Sequence, residues 1–465
     1  MRLIIWGTGN LYQKYKDYLF RFDIIKLCDS NENKQGTIID NIEVIKPSQL
    51  VEYAFDMVVV MSTAIKQICD ELKRIGISDK KVILYSQLCL LNNSQICIHH
   101  AATEVSFDSW YIQNKSDILL ISHGYSYTGV PVALYNMAMV LKKMGYSVLM
   151  AAMEGGPLSK ELESSGIDYI DDLEMFYQTN NFTSMLSMFK VVVIGTFALY
   201  HFVISLDIKE IPVLWWIHET YAQYYVGKEE LPQKDNIKFF AGGNRVKKIF
   251  NNYYEKVKIK NLQYCIPDSH DAADKNLQNK KENLVVAIIG TIEYRKAQDI
   301  LLDAIIKMPI KYKSKIKIII VGKPFKQSIS FAEKVKILRN QIENIEWIYE
   351  MSQKELDVFY KDIDVLVCPS RDDPMPIVVT QAMMHEKVCI VSEHVGQAEF
   401  IEESENGFVI PNEDSSKLMD ILMWLLDNRE QCALIGKASR KIYEKEFSEE
   451  IMERQLSKIL REMCN

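Results

Sequence analysis

The chain has 465 residues, of which 48% are hydrophobic and 25% charged, and its formal net charge is −7. Because domains cluster near roughly 100–150 residues, this length predicts about three domains in a globular protein. The negative charge argues against a nucleic-acid-binding protein, which normally has a basic surplus. The nine cysteines form no Cys-x-x-Cys pair and no zinc-ligand spacing, so we expect reduced thiols in a cytoplasmic protein.

The first segment, residues 1–98, alternates short apolar runs with helical stretches, a pattern typical of a parallel sheet covered by helices. Gly7-Thr8-Gly9 follows the first run, and Asp29 comes about 20 residues later, as in a dinucleotide-binding unit. Tyr12 stands where the third glycine is expected, so the fingerprint is incomplete. The segment resembles the small Rossmann-like domains that accompany sugar-modifying enzymes. An NAD-dependent activity and a domain without any ligand both remain open.

Two further α/β segments follow, over residues 116–270 and 284–440. The polar stretches Leu91–Ser94 and Asp268–Asn283 are predicted to be linkers between the segments. The sequence therefore predicts an α/β protein of three doubly wound units. Ligands of such units bind beyond the carboxyl ends of the strands.

The most informative segment is residues 368–383, where an apolar strand, a proline-rich loop and a helix follow one another. Pro376 suits the first turn of a helix, and the N–H groups at a helix start can hold a phosphate. Asp373 lies on the loop and Gln381 about one turn inside the helix. Both side chains can therefore face one ligand.

This segment resembles the C-terminal domain of family 4 glycosyltransferases of the GT-B fold, in which two glutamates stand eight positions apart. Asp373 takes the place of the first glutamate and Gln381 that of the second. The resemblance implies that Asp373 is a catalytic residue facing the donor sugar and that Gln381 binds the ribose. It also implies that Met375, Pro376 and Ile377 lie against the nucleotide. Since Gln381 is uncharged, we expect weaker donor binding than a glutamate would give.

A second element follows the apolar run at residues 284–289 and resembles the basic loop of the same family. The resemblance makes Gly290, Thr291, Arg295 and Lys296 donor-binding residues, with Lys296 on the donor diphosphate. Two cations there would stabilise the charge that develops on the leaving group. Thr291 replaces the arginine of the family and Ala297 its usual glycine. The alternative is a pair of solvated surface cations.

The middle segment carries two loops that match the other half of the family. Gly129 belongs to the loop Ser122–Pro131, which resembles the loop that faces the donor phosphates and sugar. His218 and Glu219 directly follow the apolar run Val213–Ile217. The resemblance makes His218 a catalytic residue beside the reacting sugar and Glu219 a residue of the acceptor side. The alternative, for an isolated histidine, is a structural residue whose ring nitrogens form local hydrogen bonds.

The resemblance covers roughly residues 116–460. It implies two Rossmann-like domains in the GT-B arrangement, preceded by a third small Rossmann-like domain, with the helix at 441–465 returning towards the middle domain. The implied activity is the retaining transfer of a hexosyl-type sugar from a nucleotide-sugar donor to a glycan or lipid-linked acceptor, in surface polysaccharide or glycoconjugate assembly. The alternative is a non-catalytic glycosyltransferase-like subunit that binds or stabilises an active protein partner.

Two other features concern metals and membranes. Asp362-Ile363-Asp364 matches an Asp-x-Asp metal motif, but its place directly before a strand favours a strand cap, and we expect neither a metal nor a cofactor. Residues 244–260 are basic with interleaved aromatics. They could contact an anionic membrane surface at the inner face of the membrane. A solvated helix face explains the pattern equally well.

Overall fold

The computed structural model describes residues 1–19, 22–85, 97–101, 103–114, 116–171, 185–205, 211–228, 231, 235–270 and 283–464. The predicted linker Leu91–Ser94 and residues 271–282 of the second predicted linker lie outside these ranges. The described chain contains three sheets, each built mainly from parallel strands. The predicted α/β fold class is therefore confirmed.

The first sheet has six strands: β1 (Arg2–Trp6), β2 (Asp23–Cys28), β3 (Ile38–Ile39), β4 (Ile42–Ile45), β5 (Met57–Val60) and β6 (Val82–Leu84). Helices α1 (Asn10–Leu19) and α2 (Ile65–Arg74) complete this domain. The strand order is β3-β4-β2-β1-β5-β6, and only β3 runs antiparallel to its neighbour. The central strands are rich in β-branched residues because both faces of the sheet are buried.

The middle sheet has nine strands: β7 (Cys97–His100), β8 (Thr103–Ser106), β9 (Ile118–Ser122), β10 (Val148–Ala152), β11 (Asp168–Asp171), β12 (Val191–Ile194), β13 (Val213–Ile217), β14 (Ile237–Ala241) and β15 (Ile259–Asn261). Its helices are α3 (Phe107–Asn114), α4 (Gly129–Lys143), α5 (Ser159–Ser164), α6 (Tyr200–Ser205) and α7 (Asn244–Tyr253). The order is β15-β14-β13-β12-β9-β10-β11-β7-β8, with β7 and β8 as an antiparallel hairpin at one edge. The hairpin and α3 thus come from residues 97–114, which follow the predicted linker Leu91–Ser94 and precede the predicted middle domain.

The third sheet has six strands, all parallel: β16 (Leu284–Ile289), β17 (Ile316–Val321), β18 (Ile345–Ile348), β19 (Val365–Cys368), β20 (Val388–Ser392) and β21 (Phe408–Ile410). Its helices are α8 (Gln298–Lys307), α9 (Ile310–Lys313), α10 (Ile329–Arg339), α11 (Gln353–Asp362), α12 (Ile377–Met384), α13 (Ser415–Asp427), α14 (Arg429–Ile442) and α15 (Glu449–Cys464). The order is β18-β17-β16-β19-β20-β21.

One hydrophobic core continues from the middle domain into the C-terminal domain. Phe447 lies in the π-helical turn between α14 and α15 and is fully buried against Tyr264 and Phe400. Helix α15 then packs against α4, and Lys143 pairs with Glu449 at 2.6 Å. The last helix of the chain therefore lies on the middle domain.

Candidate functional site

The loops of the candidate site follow the carboxyl ends of strands in two facing sheets. The middle domain contributes the loops after β9, β13 and β14, and the C-terminal domain those after β16, β19 and β20. In a parallel sheet these ends meet at one edge, which is where open α/β sheets bind their ligands. The predicted site residues of both domains lie on or directly after these loops.

The two predicted cations of the basic loop converge on one carboxylate. Lys296 Nζ lies 2.5 Å from Asp373 Oδ2, and Arg295 Nη1 lies 3.2 Å from the same oxygen. Arg295 also pairs with Glu293 at 2.8 Å. Asp373 is only 5% exposed, so its pairs are poorly screened by water. The structure thus brings Arg295, Lys296 and Asp373 together, although 77 positions separate Lys296 from Asp373.

Arg295 keeps its charge in this setting. Burial acts to lower the pKa of its guanidinium, but the carboxylates of Asp373 and Glu293 outweigh burial, and the pKa is raised. Sequence reasoning missed Glu293, because a single acidic residue on a loop carries no signal of its partner. The cluster therefore holds two cations and two carboxylates where the loops of the middle and C-terminal domains meet, a region that we call the interdomain cleft.

The backbone of the basic loop needs special conformations at its start and its end. Gly290 has φ +148°, and Ala297 has φ +55°, in the left-handed region that glycine favours. Ala297 thus adopts the backbone that the glycine of the related family would adopt freely. Thr291 is partly exposed, and its carbonyl accepts a hydrogen bond from the Gln298 side chain at 2.9 Å. Ala297 therefore adopts the left-handed conformation even though the related family usually has a glycine at this position.

A second arginine, Arg371, stabilises the basic loop through contacts with three of its neighbours. The Arg371 guanidinium stacks over the Tyr294 ring at 3.9 Å and pairs with Asp299 at 3.0 Å. The backbone N–H of Arg371 also donates to the Arg295 carbonyl at 2.8 Å. These contacts fix the loop after β16 against the loop after β19. Sequence reasoning missed Arg371, although its position two residues before Asp373 was visible.

Helix α12 begins at Ile377, and Pro376 (φ −65°) is its N-cap residue, one position before the first turn in which the sequence places it. Ile377 is partly exposed, whereas Met375 is 8% exposed. The Met375 methyl group occupies the space beside Gly243 of the middle domain, where a Cβ would come within 2.6 Å of it. The helix start therefore lies directly at the contact between the two domains.

Gln381 lies on the same helix but is 3% exposed. Its side-chain oxygen accepts a hydrogen bond from the Tyr360 hydroxyl at 3.3 Å. The neighbouring Thr380 belongs to a buried network with Tyr264 (2.7 Å) and Gln397 (3.0 Å). The structure thus gives Gln381 a partner within its own domain, and ribose binding by Gln381 stays a prediction.

Across the cleft, His218 follows β13 with its ring edge-on to Trp216 at 4.4 Å. Burial, with a smaller effect of the nearby His123 ring, lowers the pKa of His218 to about 3. The imidazole is therefore neutral at pH 7, and its buried Nε2 has no hydrogen-bond partner among the described residues. A neutral imidazole can donate to or accept from a hydroxyl group.

Glu219 and Gly129 occupy different settings from His218. The Glu219 carboxylate accepts bonds from the Thr196 hydroxyl and from the N–H of Phe197 at 3.0 Å. It therefore stabilises the turn after β12, and its acceptor-side role stays a prediction. Gly129 is the exposed first residue of α4, where a Cβ would meet open space. Sterics alone do not require a glycine there.

The described residues contain no group of three or more His, Cys, Asp or Glu side chains arranged to hold a metal ion. Asp364 accepts a hydrogen bond from the Val285 N–H at 2.8 Å and so links the starts of two strands, as expected for a strand cap. Seven cysteines are free thiols, namely Cys28, Cys69, Cys97, Cys265, Cys368, Cys389 and Cys432. Across the described part of the chain, every helix is too short or too polar to cross a membrane.

Solved structures of GT-B enzymes share this architecture. Anabaena HepE, solved in complex with UDP-glucose, superimposes with a TM-score of 0.64 at 16% identity, over 75% of this chain and 100% of that one. WaaG, a glycosyltransferase involved in lipopolysaccharide biosynthesis, superimposes with a TM-score of 0.58 at 13% identity, over 74% of this chain and 99% of that one. The fold therefore places the chain in the GT-B class.

Family models define the class further. Residues 269–442 match the model of glycosyl transferases group 1, residues 114–287 that of glycosyl-transferase family 4, and residues 1–83 that of the C2185-like N-terminal domain. The chain belongs to the GT1/GT4-like glycosyltransferases and carries an additional N-terminal domain.

Curated relatives match over shorter stretches. An amylovoran biosynthesis glycosyltransferase from Erwinia amylovora is 28% identical over 118 residues, which is 24% of this chain. Spore coat protein SA from Bacillus subtilis is 27% identical over 181 residues, which is 38% of this chain. The match spans 29% of the length of the first relative and 47% of the second.

Proposed function

We propose that this protein transfers a sugar from a nucleoside-diphosphate sugar to an acceptor hydroxyl. The observation that carries the proposal is the convergence of Arg295 and Lys296 on Asp373 at the edge of an interdomain cleft. A diphosphate can share these two cations, while the Asp373 carboxylate can accept hydrogen bonds from sugar hydroxyls. The relative HepE was solved with UDP-glucose, which makes UDP-sugars the first donors to test.

Cleavage of the donor leaves negative charge on the diphosphate and positive charge on the sugar ring. Arg295 and Lys296 would stabilise the first charge, and the free N–H groups at the start of α12 would add to this effect. Neutral His218 would hold a sugar hydroxyl from the opposite wall. We propose that the leaving phosphate takes the acceptor proton on the same face of the sugar, so that the anomeric configuration is retained. This chemistry uses residues of the chain and needs no metal.

Titration of the purified protein with UDP-glucose and a panel of other sugar nucleotides tests the proposal. We expect donor binding by calorimetry, at least tenfold weaker in Lys296→Ala because a charged partner of the diphosphate is lost. Lys317→Ala serves as the control, since Lys317 pairs with Glu346 at the amino ends of β17 and β18. NMR of the product would show the retained anomer, and EDTA would leave the rate unchanged.

Two outcomes would indicate another function, and a third would contradict the proposal. Binding of a sugar nucleotide without turnover, with any acceptor offered, would favour the non-catalytic subunit that stabilises a partner. A protein that binds no sugar nucleotide at all would contradict the proposal. Binding of NAD by the first domain would instead support a nicotinamide-dependent activity. In that domain the Asp29 carboxylate already accepts from Thr8 and pairs with Lys34 at 3.1 Å.

We propose peripheral membrane contact through residues 244–260 as the route to a lipid-linked acceptor. Lys248, Lys256 and Lys258 are exposed there, and Tyr253 is 41% exposed. Co-sedimentation with vesicles of anionic lipid should exceed that with neutral vesicles, and Lys256→Glu/Lys258→Glu should remove the difference. Failure to bind either kind of vesicle would indicate an ordinary solvated surface.

A further inference from the structure

Two polar residues outside the predicted site connect the loops that carry His218 and Asp373. Asp372 directly precedes Asp373, and Thr220 lies two residues after His218. The Thr220 hydroxyl donates to Asp372 Oδ2 at 2.6 Å, across 152 positions of the sequence. This bond joins the loop after β13 in the middle domain to the loop after β19 in the C-terminal domain.

Arg245, at the start of α7, engages the other oxygen of the same carboxylate. Its Nε and Nη2 donate to Asp372 Oδ1 at 2.8 and 2.6 Å. The Asp372 side chain is 17% exposed and the Arg245 side chain 27%. Charge-assisted hydrogen bonds in such a poorly solvated position are stronger than those of exposed ion pairs. Both oxygens of Asp372 are thus held by the middle domain.

The residues next to Arg245 make further contacts with the C-terminal domain. Asn244 Nδ2 donates to Glu399 Oε2 at 2.6 Å. Gly243 leaves room for the methyl group of Met375, which a side chain at this position would displace. Three consecutive residues of the middle domain therefore contact the C-terminal domain, two of them against the loop that holds Asp373.

We propose that Asp372, Arg245 and Thr220 form an interdomain clasp that closes the cleft and positions His218 opposite Asp373. The clasp residues are positioning residues. Because Asp372 and Asp373 are adjacent, any movement that separates Asp372 from the middle domain also moves the Asp373 backbone. Cleft closure by the clasp does not depend on the proposed function, whereas its effect on turnover rests on that function.

Small-angle X-ray scattering of the full chain tests closure. We expect Arg245→Ala and Asp372→Ala to show a larger radius of gyration than the wild type without any ligand. The double variant should open no further than Asp372→Ala alone, because that substitution already removes the bonds that Asp372 makes with both Arg245 and Thr220. Lys317→Ala, which breaks an ion pair remote from the cleft, should scatter as the wild type does.

Binding and turnover separate positioning from a general structural role. We expect UDP affinity to stay within about threefold in both variants, because the two cations proposed to hold the diphosphate, Arg295 and Lys296, belong to the C-terminal domain. The kcat for UDP-glucose should fall about tenfold or more, since His218 and Asp373 would no longer be held in the relative position that catalysis needs. A parallel loss of UDP affinity and kcat would overturn the positioning role.

Unchanged scattering in both variants, or additive opening in the double variant, would overturn the clasp itself. Failure of the wild type to bind UDP would count against the proposed function and leave the scattering comparison valid. The two proposals can therefore fail separately.

Discussion

At the scale of single residues, each charged side chain of the basic loop has a partner of opposite charge before a ligand binds. Lys296 and Arg295 share the Asp373 carboxylate, and Arg295 has Glu293 as a second partner. Removing the Asp373 carboxylate would leave Lys296 without this partner, which costs more free energy than the pair itself contributes. A donor diphosphate would therefore enter by sharing the cations with Asp373.

His218 provides a prediction at this scale. Its pKa is lowered from 6.5 in the unfolded chain to about 3. The unfolded chain therefore binds a proton between these pH values while the folded protein does not. Stability is full above pH 6.5 and falls as the pH decreases towards 3, by about 1 kcal/mol at pH 5.5. We expect His218→Gln to reduce this loss, as measured by urea unfolding at pH 5.5 and pH 7.5. Equal losses in the wild type and the variant would contradict the assignment to His218.

At the scale of elements, the loop after β16 is held by the loop after β19. Arg371 makes this connection through Asp299, Tyr294 and the Arg295 carbonyl. The Asp299 side chain is 4% exposed and also binds Lys334 at 2.7 Å. The two loops therefore behave as one unit around a buried carboxylate.

Arg371→Ala should lower the free energy of unfolding by about 3 kcal/mol, because it leaves the Asp299 carboxylate buried with only Lys334. Lys334→Ala removes the other partner of the same carboxylate and is the matched control. Since the Lys334 side chain is 56% exposed, its loss should cost less than about 1 kcal/mol. Urea unfolding of both variants measures the difference. Equal costs would show that the stacked guanidinium does not support the loop.

At the scale of the whole molecule, the middle and C-terminal domains share one core. Tyr264 of the middle domain and Phe400 of the C-terminal domain both pack against Phe447. Helix α15 then lies on α4, so the end of the chain belongs structurally to the middle domain. We expect these two domains to unfold together.

Phe447→Ala should destabilise both domains by about 3–5 kcal/mol, since it opens a cavity in the shared core. Fluorescence of Trp215 and Trp216 reports on the middle domain, and that of Trp347 and Trp424 on the C-terminal domain. With Trp6 replaced throughout and the tryptophans of one domain replaced at a time (Trp110 included for the middle domain), both signals should shift to the same lower urea concentration. Leu434→Ala, at a residue 58% exposed on α14, should leave both unchanged. A shift confined to one domain would show that the cores are independent.

The sequence by itself determined the central apolar strands and the family. Apolar runs such as Val365–Cys368 become buried parallel strands because local hydrophobicity and β-branching favour them. Motif spacing likewise located the start of α12 to within one residue of Pro376, and it located the basic loop around Lys296. These features are local, so a single stretch of chain encodes each of them.

Only the tertiary structure decided which side chains meet. The pairing of Lys296 with Asp373, the clasp at Asp372 and the bond between Gln381 and Tyr360 each join residues distant in sequence. Such contacts depend on how two sheets pack and how their loops face each other. Periodicity and spacing carry no information on this, because many residue pairs of matching charge are equally compatible with the same strand order.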